Sequence, residues 1–227
     1  MFINEEIRPD SRPFIAVLAP GLEFILKYFD RHFDRRVSDN PAMADSGSTA
    51  FVVLPADGSQ DNNDNVSTFC QQCSEKGLKV ITLRVPLAIG TGMNGLAMRI
   101  ARHVAKGSMF RIKENNAVWS VIHASDIPKA AQTIALNPLN GETSYTISPD
   151  PVPFNSLLDA LAFRIKNKHL TSLSSKWARI LYNKSFFTTL TSDNTVDASD
   201  FANAYPDFKF ADPTIYLTTH VYDNDSL

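Results

Sequence analysis

The densest candidate for chemistry in the sequence is Gly90-Thr91-Gly92-Met93-Asn94-Gly95, a literal G-x-G-x-x-G between an apolar run and a helical pattern. Such a turn lets backbone N–H groups and a helix N-terminus face a pyrophosphate. That chemistry also needs a parallel return strand and an acid about twenty residues on to hold a ribose. Glu114 stands at that distance, yet Glu114-Asn115-Asn116 reads as the turn of an antiparallel hairpin joining 109–113 to 117–123. The match is therefore taken as a decoy. Cys70-Gln-Gln-Cys73 has the spacing of a redox pair or half a zinc site, but no second Cys or His pair accompanies it. Two reduced, inert thiols on one helical face is the better account. The five histidines, His32, His103, His123, His169 and His220, make no metal pattern, and no Gly-x-Ser-x-Gly elbow marks a nucleophile. No catalytic residue and no metal site is assigned.

The elements that must position these residues follow from periodicity. Residues 14–19 are a β-rich run ending at Pro20-Gly21, and Leu22, Ile25, Leu26, Phe29 and Phe33 then recur at helical spacing, which opens a βαβ unit. Residues 36–48 read as a polar connection, 50–54 as a buried strand closed by Pro55-Ala56-Asp57-Gly58, and 59–65 as a loop. A helix over 66–76 capped by Gly77, a strand over 78–89 and a helix from the N-cap Asn94 to Gly107 come next. Asp126 is placed as the N-cap of a helix running to Leu136, with Pro128 in its first turn. A strand over 143–148 and a helix starting at Asn155 or Ser156 complete the pattern. Three buried strands separated by helices predict a parallel sheet.

The chain has 227 residues, 44% apolar and 20% charged, with 22 Lys plus Arg against 24 Asp plus Glu for a net charge of -2. This composition excludes a disordered chain and supplies no general electrostatic attraction to nucleic acid, so no nucleic-acid partner is expected. No apolar run approaches the roughly 18 residues of a membrane span, and Met-Phe-Ile-Asn-Glu-Glu is unlike a signal peptide, so no membrane partner is expected either. Two cysteines fit a reducing, cytoplasmic setting. Charge is uneven near the C-terminal end: Arg164, Lys166, Lys168, Lys176, Arg179 and Lys184 lie between Asp159 and Asp193 with no acid among them. From Asp193 on, seven aspartates face Lys209 alone. A solvated helix face and an acidic tail are the preferred reading, with polyanion contact as the minority one.

Ile81-Thr-Leu-Arg84-Val-Pro86-Leu-Ala-Ile-Gly90-Thr-Gly92 and Val121-Ile-His123-Ala-Ser-Asp126-Ile-Pro-Lys-Ala130-Ala resemble the extended short-chain dehydrogenases, the NAD-dependent epimerase/dehydratase family. Lys106-Gly107, Tyr145-Thr-Ile147 and Pro151 to Phe154 extend the resemblance, whose order and spacing hold over 77–168. It implies an α/β fold: a Rossmann-like, mostly parallel sheet, abbreviated in the N-terminal half, with a smaller interleaved C-terminal α+β lobe. Residues 1–89 would form the NAD(P)-binding-type domain and 90–227 the substrate-side lobe, with 143–148 returning to the main sheet. NAD or NADP would be lined by Ala19, Pro20, Gly21, Leu22, Pro55, Ala56, Val85 and Pro86, and a substrate by Thr91, Met93, Arg111 and Trp119. Trp119 stands where many nucleotide-sugar members carry a diphosphate-gripping Arg.

The sequence also departs from that family. Its glycine loop is reduced to Ala19-Pro-Gly21-Leu-Glu-Phe24, where Leu22 and Phe24 are bulky and Glu23 is negative. The Tyr-x-x-x-Lys general acid/base pair belongs before Gly77, and 59–76 holds no tyrosine. The literal hit Tyr205-Pro-Asp-Phe-Lys209 carries a proline where a helix is needed. The expectation is a degenerate, non-catalytic relative that binds a nucleotide sugar, a small metabolite or a protein partner, a second copy of itself included. The alternative is an active NAD(P)-dependent epimerase, dehydratase or reductase acting on a nucleotide sugar.

Overall fold

The computed structural model describes residues 14–33, 36–45, 47–139, 141–166 and 169–215. The N-terminal Met-Phe-Ile-Asn-Glu-Glu, Lys168, His220 and the last two aspartates lie outside them. Strand β1 (Phe14–Leu18) turns at Pro20-Gly21 into a 3-10 turn, Glu23–Ile25, which runs on into α1 (Leu26–Phe33). Then follow β2 (Arg36–Ser38), β3 (Thr49–Pro55), α2 (Asp64–Glu75) and β4 (Lys79–Val85). After β5 (Leu87–Ile89) and α3 (Gly95–Ala105) come the short strands β6 (Arg111–Ile112), β7 (Val118–Trp119) and β8 (Val121–His123). The rest comprises α4 (Asp126–Leu136), β9 (Ser144–Thr146), β10 (Val152–Pro153), α5 (Phe154–Lys166), β11 (Ser172–Leu173), α6 (Ser175–Leu181), α7 (Lys184–Thr191) and α8 (Ser199–Ala204).

Five strands form one parallel sheet in the order β2-β1-β3-β4-β9. Its faces follow from side-chain alternation. Ile15, Val17, Phe51, Val53, Ile81, Leu83 and Val85 pack under α1 and α4, while Ala16, Ala50, Val52 and Leu54 pack under α2 through Phe69 and Cys73. A separate core gathers α3, α5 and α7 around Trp119, whose ring centroid is 4.4 Å from that of Phe154. The chain thus has an α/β, Rossmann-like fold with a mostly parallel sheet.

Four local expectations are corrected. Residues 36–48 contain β2, which has only Val37 as an apolar residue and so shows no period. The strand expected over 78–89 is two strands, because Pro86 supplies no N–H: β4 stays in the main sheet and β5 pairs with β8. No hairpin joins β6 to β7. The N–H groups of Arg111 and Lys113 instead donate to Thr171 and Leu173, and β7 pairs with β10. Asp126 is not the cap but the first residue of α4. Its fully buried carboxylate accepts the Ala211 N–H at 2.8 Å and meets Lys129 Nζ at 2.7 Å, fastening the C-terminal segment to the sheet's helical layer.

Phe29 is fully buried, with Phe33 and Phe51 about its ring at centroid distances of 5.7 and 6.0 Å. Phe29→Ala should lower unfolding stability by about 3–5 kcal/mol in urea titration. Leu136→Ala on the exposed end of α4 should change it by less than about 0.5 kcal/mol.

Candidate functional site

The sheet reverses its winding between β1 and β3, since the chain leaves β1 for β2 on one side and returns to place β3 on the other. In open parallel sheets, ligands enter outside the carboxyl ends of the strands at that point. A cleft of about 350 Å³ lies there, bounded by Leu22 after β1, Pro55 and Ala56 after β3, Val85 and Pro86 after β4, and the start of α3. Asn194, Thr195 and Val196, held by backbone bonds between Asn194 and both Val118 and Ser120, close it from the smaller lobe. Asp57, Ser59 and Asn94 supply further polar groups to the lining, which contains no Lys, Arg or His.

The turn after β1 decides what such a cleft can hold. Gly21 has φ 74°, the left-handed conformation that glycine adopts without strain. Its N–H donates to Glu23 Oε1 at 2.8 Å, and the Leu22 N–H donates to Ala19 O at 3.0 Å. Asn94 Nδ2 donates to Gly21 O at 3.0 Å, tying the start of α3 to the turn instead of capping its own helix. Leu22 is largely buried in the core and gives the cleft only an apolar edge. A dinucleotide pyrophosphate needs free N–H groups and a close approach of the backbone here. The Gly21 amide already has an anion of the chain's own, so the residues present do not fit that group.

Five of the eight residues assigned to cofactor contact, Leu22, Pro55, Ala56, Val85 and Pro86, line this one cleft. Gly21 lies beside it through the Asn94 bond, while Ala19 is buried under the sheet's helical layer. The four residues assigned to substrate are not brought together. Trp119 is fully buried and donates its Nε1–H to Ser192 O at 3.0 Å, so its ring belongs to the core and does not face a ligand. Arg111 lies 3.3 Å from Asp159 across the β6–α5 packing. Met93 is largely buried but lines a separate cavity of about 500 Å³ with Arg99, Arg102, His103 and Lys106, and the Thr91 N–H donates to Tyr28 Oη at 2.9 Å.

Within the glycine motif at 90–95, Gly90 serves packing, while Asn94 and Gly95 line the cleft. A side chain at Gly90 would begin 2.7 Å from Tyr28 Oη and 3.0 Å from Ala124 Cβ, so glycine there lets the loop lie on α1. Lys27, beside this loop, has its pKa lowered by burial and then by Arg31. His123 is buried, its Nδ1 accepting the Ser125 N–H at 3.1 Å and lying 2.7 Å from that hydroxyl, which is a strand-end fastening. Tyr205, the tyrosine of the literal Tyr-x-x-x-Lys, donates to Asn137 O at 3.0 Å and sits at the end of α8.

Two kinds of residue escaped the sequence. Asp57, Ser59 and Asn194 carry no motif, and Asn94 reads in the sequence as a helix cap, not as a cleft residue. Asp39 did carry one: it is exposed just after β2 and stands eighteen residues beyond Gly21, close to the place of a ribose-holding acid. Counting on from Gly21 would have found it, had β2 been legible.

No protein-family model matches the chain, and no curated sequence matches it. Its fold, however, is that of solved epimerase structures. UDP-N-acetylglucosamine 4-epimerase from Bacillus cereus superposes with a TM-score of 0.59 at 12% identity, covering 91% of this chain and 97% of that one. The human epimerase family protein SDR39U1 (isoform 2), solved with NADPH, gives 0.55 at 12% identity, covering 92% and 99%. This chain spans about half the length of WbmH from Bordetella bronchiseptica, solved with NAD+, at 15% identity. That match covers 68% of this chain and 48% of that one, and its TM-score of 0.45 adds nothing to the assignment. The chain has the extended short-chain dehydrogenase fold.

The Cys-x-x-Cys pair lies on α2. Burial pushes the Cys73 thiol up to about 11, with the charge of Cys70 adding to it, and burial raises Cys70 as well. Both thiols are therefore protonated at neutral pH and poor nucleophiles. In the native protein they should react with a thiol reagent at about pH 8 far more slowly than after unfolding. Rapid native reaction of Cys73 would refute the assignment of the pair as structural.

Proposed function

We infer that the protein is a non-catalytic relative of the epimerase/dehydratase enzymes, and that its switch-point cleft binds a small, phosphate-free polar molecule of nucleoside or polyol type. The observation that carries this reading is the hydrogen bond from the Gly21 N–H to the Glu23 carboxylate, which spends the anion-binding amide internally. Any pyrophosphate brought there would meet a fixed negative charge at close range. The cleft lining agrees in sign, with Asp57 as its only ionisable residue among the described ones. A nucleotide sugar brings the same diphosphate, and its usual cationic grip is missing, because Trp119 is buried and Arg111 is paired with Asp159. The lining's Ser59, Asn94 and Asn194 are groups that hydrogen-bond hydroxyls or a base edge. Helix α2, which leads into β4 as the family's acid/base helix does, contains no tyrosine. Protonated thiols at Cys70 and Cys73 do not replace one.

Asp39 favours a second reading, an active NAD(P)-dependent enzyme on a sugar, because it follows β2 at about the sequence distance from the glycine turn of a ribose-holding acid. The two readings separate in a thermal-shift panel of nucleosides, monosaccharides, NAD, NADP and nucleotide sugars. A ligand at about 100 times its dissociation constant adds about 2.7 kcal/mol. A shift with at least one phosphate-free compound, and none with either dinucleotide or a nucleotide sugar, is the expected result. Stabilisation by NAD or NADP together with hydride transfer to a sugar would establish the enzyme instead. A panel in which no phosphate-free compound shifts the transition would overturn the proposed ligand class.

A further inference from the structure

The basic stretch between Asp159 and Asp193 has no part in the cleft. Within it, α6 exposes Trp177, Ile180 and Leu181, which are 60%, 65% and 58% accessible. Their spacing of three and four residues puts them on one side of the helix. Bulky apolar side chains so exposed are unusual when they cluster, and they mark contact surfaces. The helix is anchored from its other side by buried Ala178 and by Tyr182, whose hydroxyl accepts the Phe110 N–H at 2.9 Å. The apolar side is therefore presented by a fixed element.

The charge around it is one-sided. Lys176, Arg179 and Lys184 are exposed on α6 and at the start of α7. Adjacent rings of α7 carry cations as well: the Arg99 guanidinium of α3 lies 4.2 Å over Phe186, and that of Arg179 lies 5.2 Å over Phe187. Beyond Arg99, α3 exposes Arg102 and Lys106 and has no acid of its own. Two acids stand at the margin, both beside Arg179: Glu114, which accepts from the Ser175 hydroxyl at 3.2 Å, and Asp193, which lines the same groove. A tryptophan with two large aliphatic residues, rimmed by lysine and arginine, is the composition that seats a helix in the headgroup region of an anionic bilayer.

We propose that α6 docks the protein onto an anionic lipid surface, with Trp177, Ile180 and Leu181 entering the headgroup–acyl boundary and Lys176 and Lys184 meeting the lipid phosphates. No helix among the described residues is long and apolar enough to cross a membrane, and none is required for a surface contact. The proposal is independent of what the cleft binds.

The chain has two tryptophans, and since Trp119 is fully buried, a change in emission reports Trp177. Full-length protein is mixed with phosphatidylcholine vesicles with and without about a third phosphatidylserine, at low and high salt. Each cation near the surface is worth about a factor of five, so the two lysines should favour the anionic vesicles by about twenty-five-fold, a preference lost at high salt. Trp177 emission should shift to the blue on binding. The exposed-site variants Ile180→Ser/Leu181→Ser and Lys176→Glu/Lys184→Glu should keep the wild-type melting temperature and lose co-sedimentation. Failure of the wild type to bind anionic vesicles at low salt, or undiminished binding by folded variants, would overturn the proposal. So would a blue shift that grows with protein concentration without vesicles, which assigns the face to a second copy. An equal shift with polyglutamate would assign it to an acidic protein.

Discussion

A parallel sheet has to be covered on both faces, because its strands are joined by crossovers that lie across those faces and its backbone tolerates little solvent. Here α1 and α4 cover one face and α2 the other, and the residues beneath are matched to that load. Large Ile, Val, Leu and Phe side chains point to the two-helix side, and alanines and valines point to the single helix. With both faces spent, the strands' carboxyl ends remain open, and the reversal of winding between β1 and β3 makes a crevice of them. The smaller lobe is hung over this crevice by the break at Pro86, which passes the chain from β4 in the main sheet to β5 beside β8. Asn94 then links that lobe to the turn after β1. The location of the cleft is thus a consequence of covering the sheet.

What the cleft can bind is set at a smaller scale. In dinucleotide-binding turns, several glycines keep amides free and side chains away so that a pyrophosphate can lie against the backbone. This chain keeps one glycine for the turn and lets Glu23 supply the anion. A carboxylate on an amide is a charge-assisted bond of the type a phosphate would make. At 90–95, Gly90 of the nucleotide-like motif serves to seat a loop on Tyr28.

The sequence made much of this visible, and its failures have physical causes. Strands β3 and β4 and helices α2, α3 and α4 could be read because their apolar residues repeat over at least seven positions. The charge of Glu23 and the crowding by Leu22 were also legible, since they need only the residue types beside Gly21. Strands of two or three residues, such as β2, β10 and β11, carry no period, and β2 hid the meaning of Asp39. The expected hairpin failed because the strand edges it would have used are taken by chain some sixty residues away, at Thr171 and Leu173. Trp119 was misplaced for a similar reason. Its partners, Phe154 and Ser192, are distant in sequence, and nothing local distinguishes a ring that stacks on a ligand from one that fills a core.

The claim on which the account rests is that the Gly21 amide is already held by Glu23. Its proton can be followed directly by nuclear magnetic resonance of the labelled full chain as inorganic pyrophosphate and then NAD are added. The account predicts that the Gly21 amide resonance stays where it is with either addition, and that it moves when Glu23 is replaced by alanine. A saturable shift of that resonance in the wild-type protein on adding NAD would contradict it.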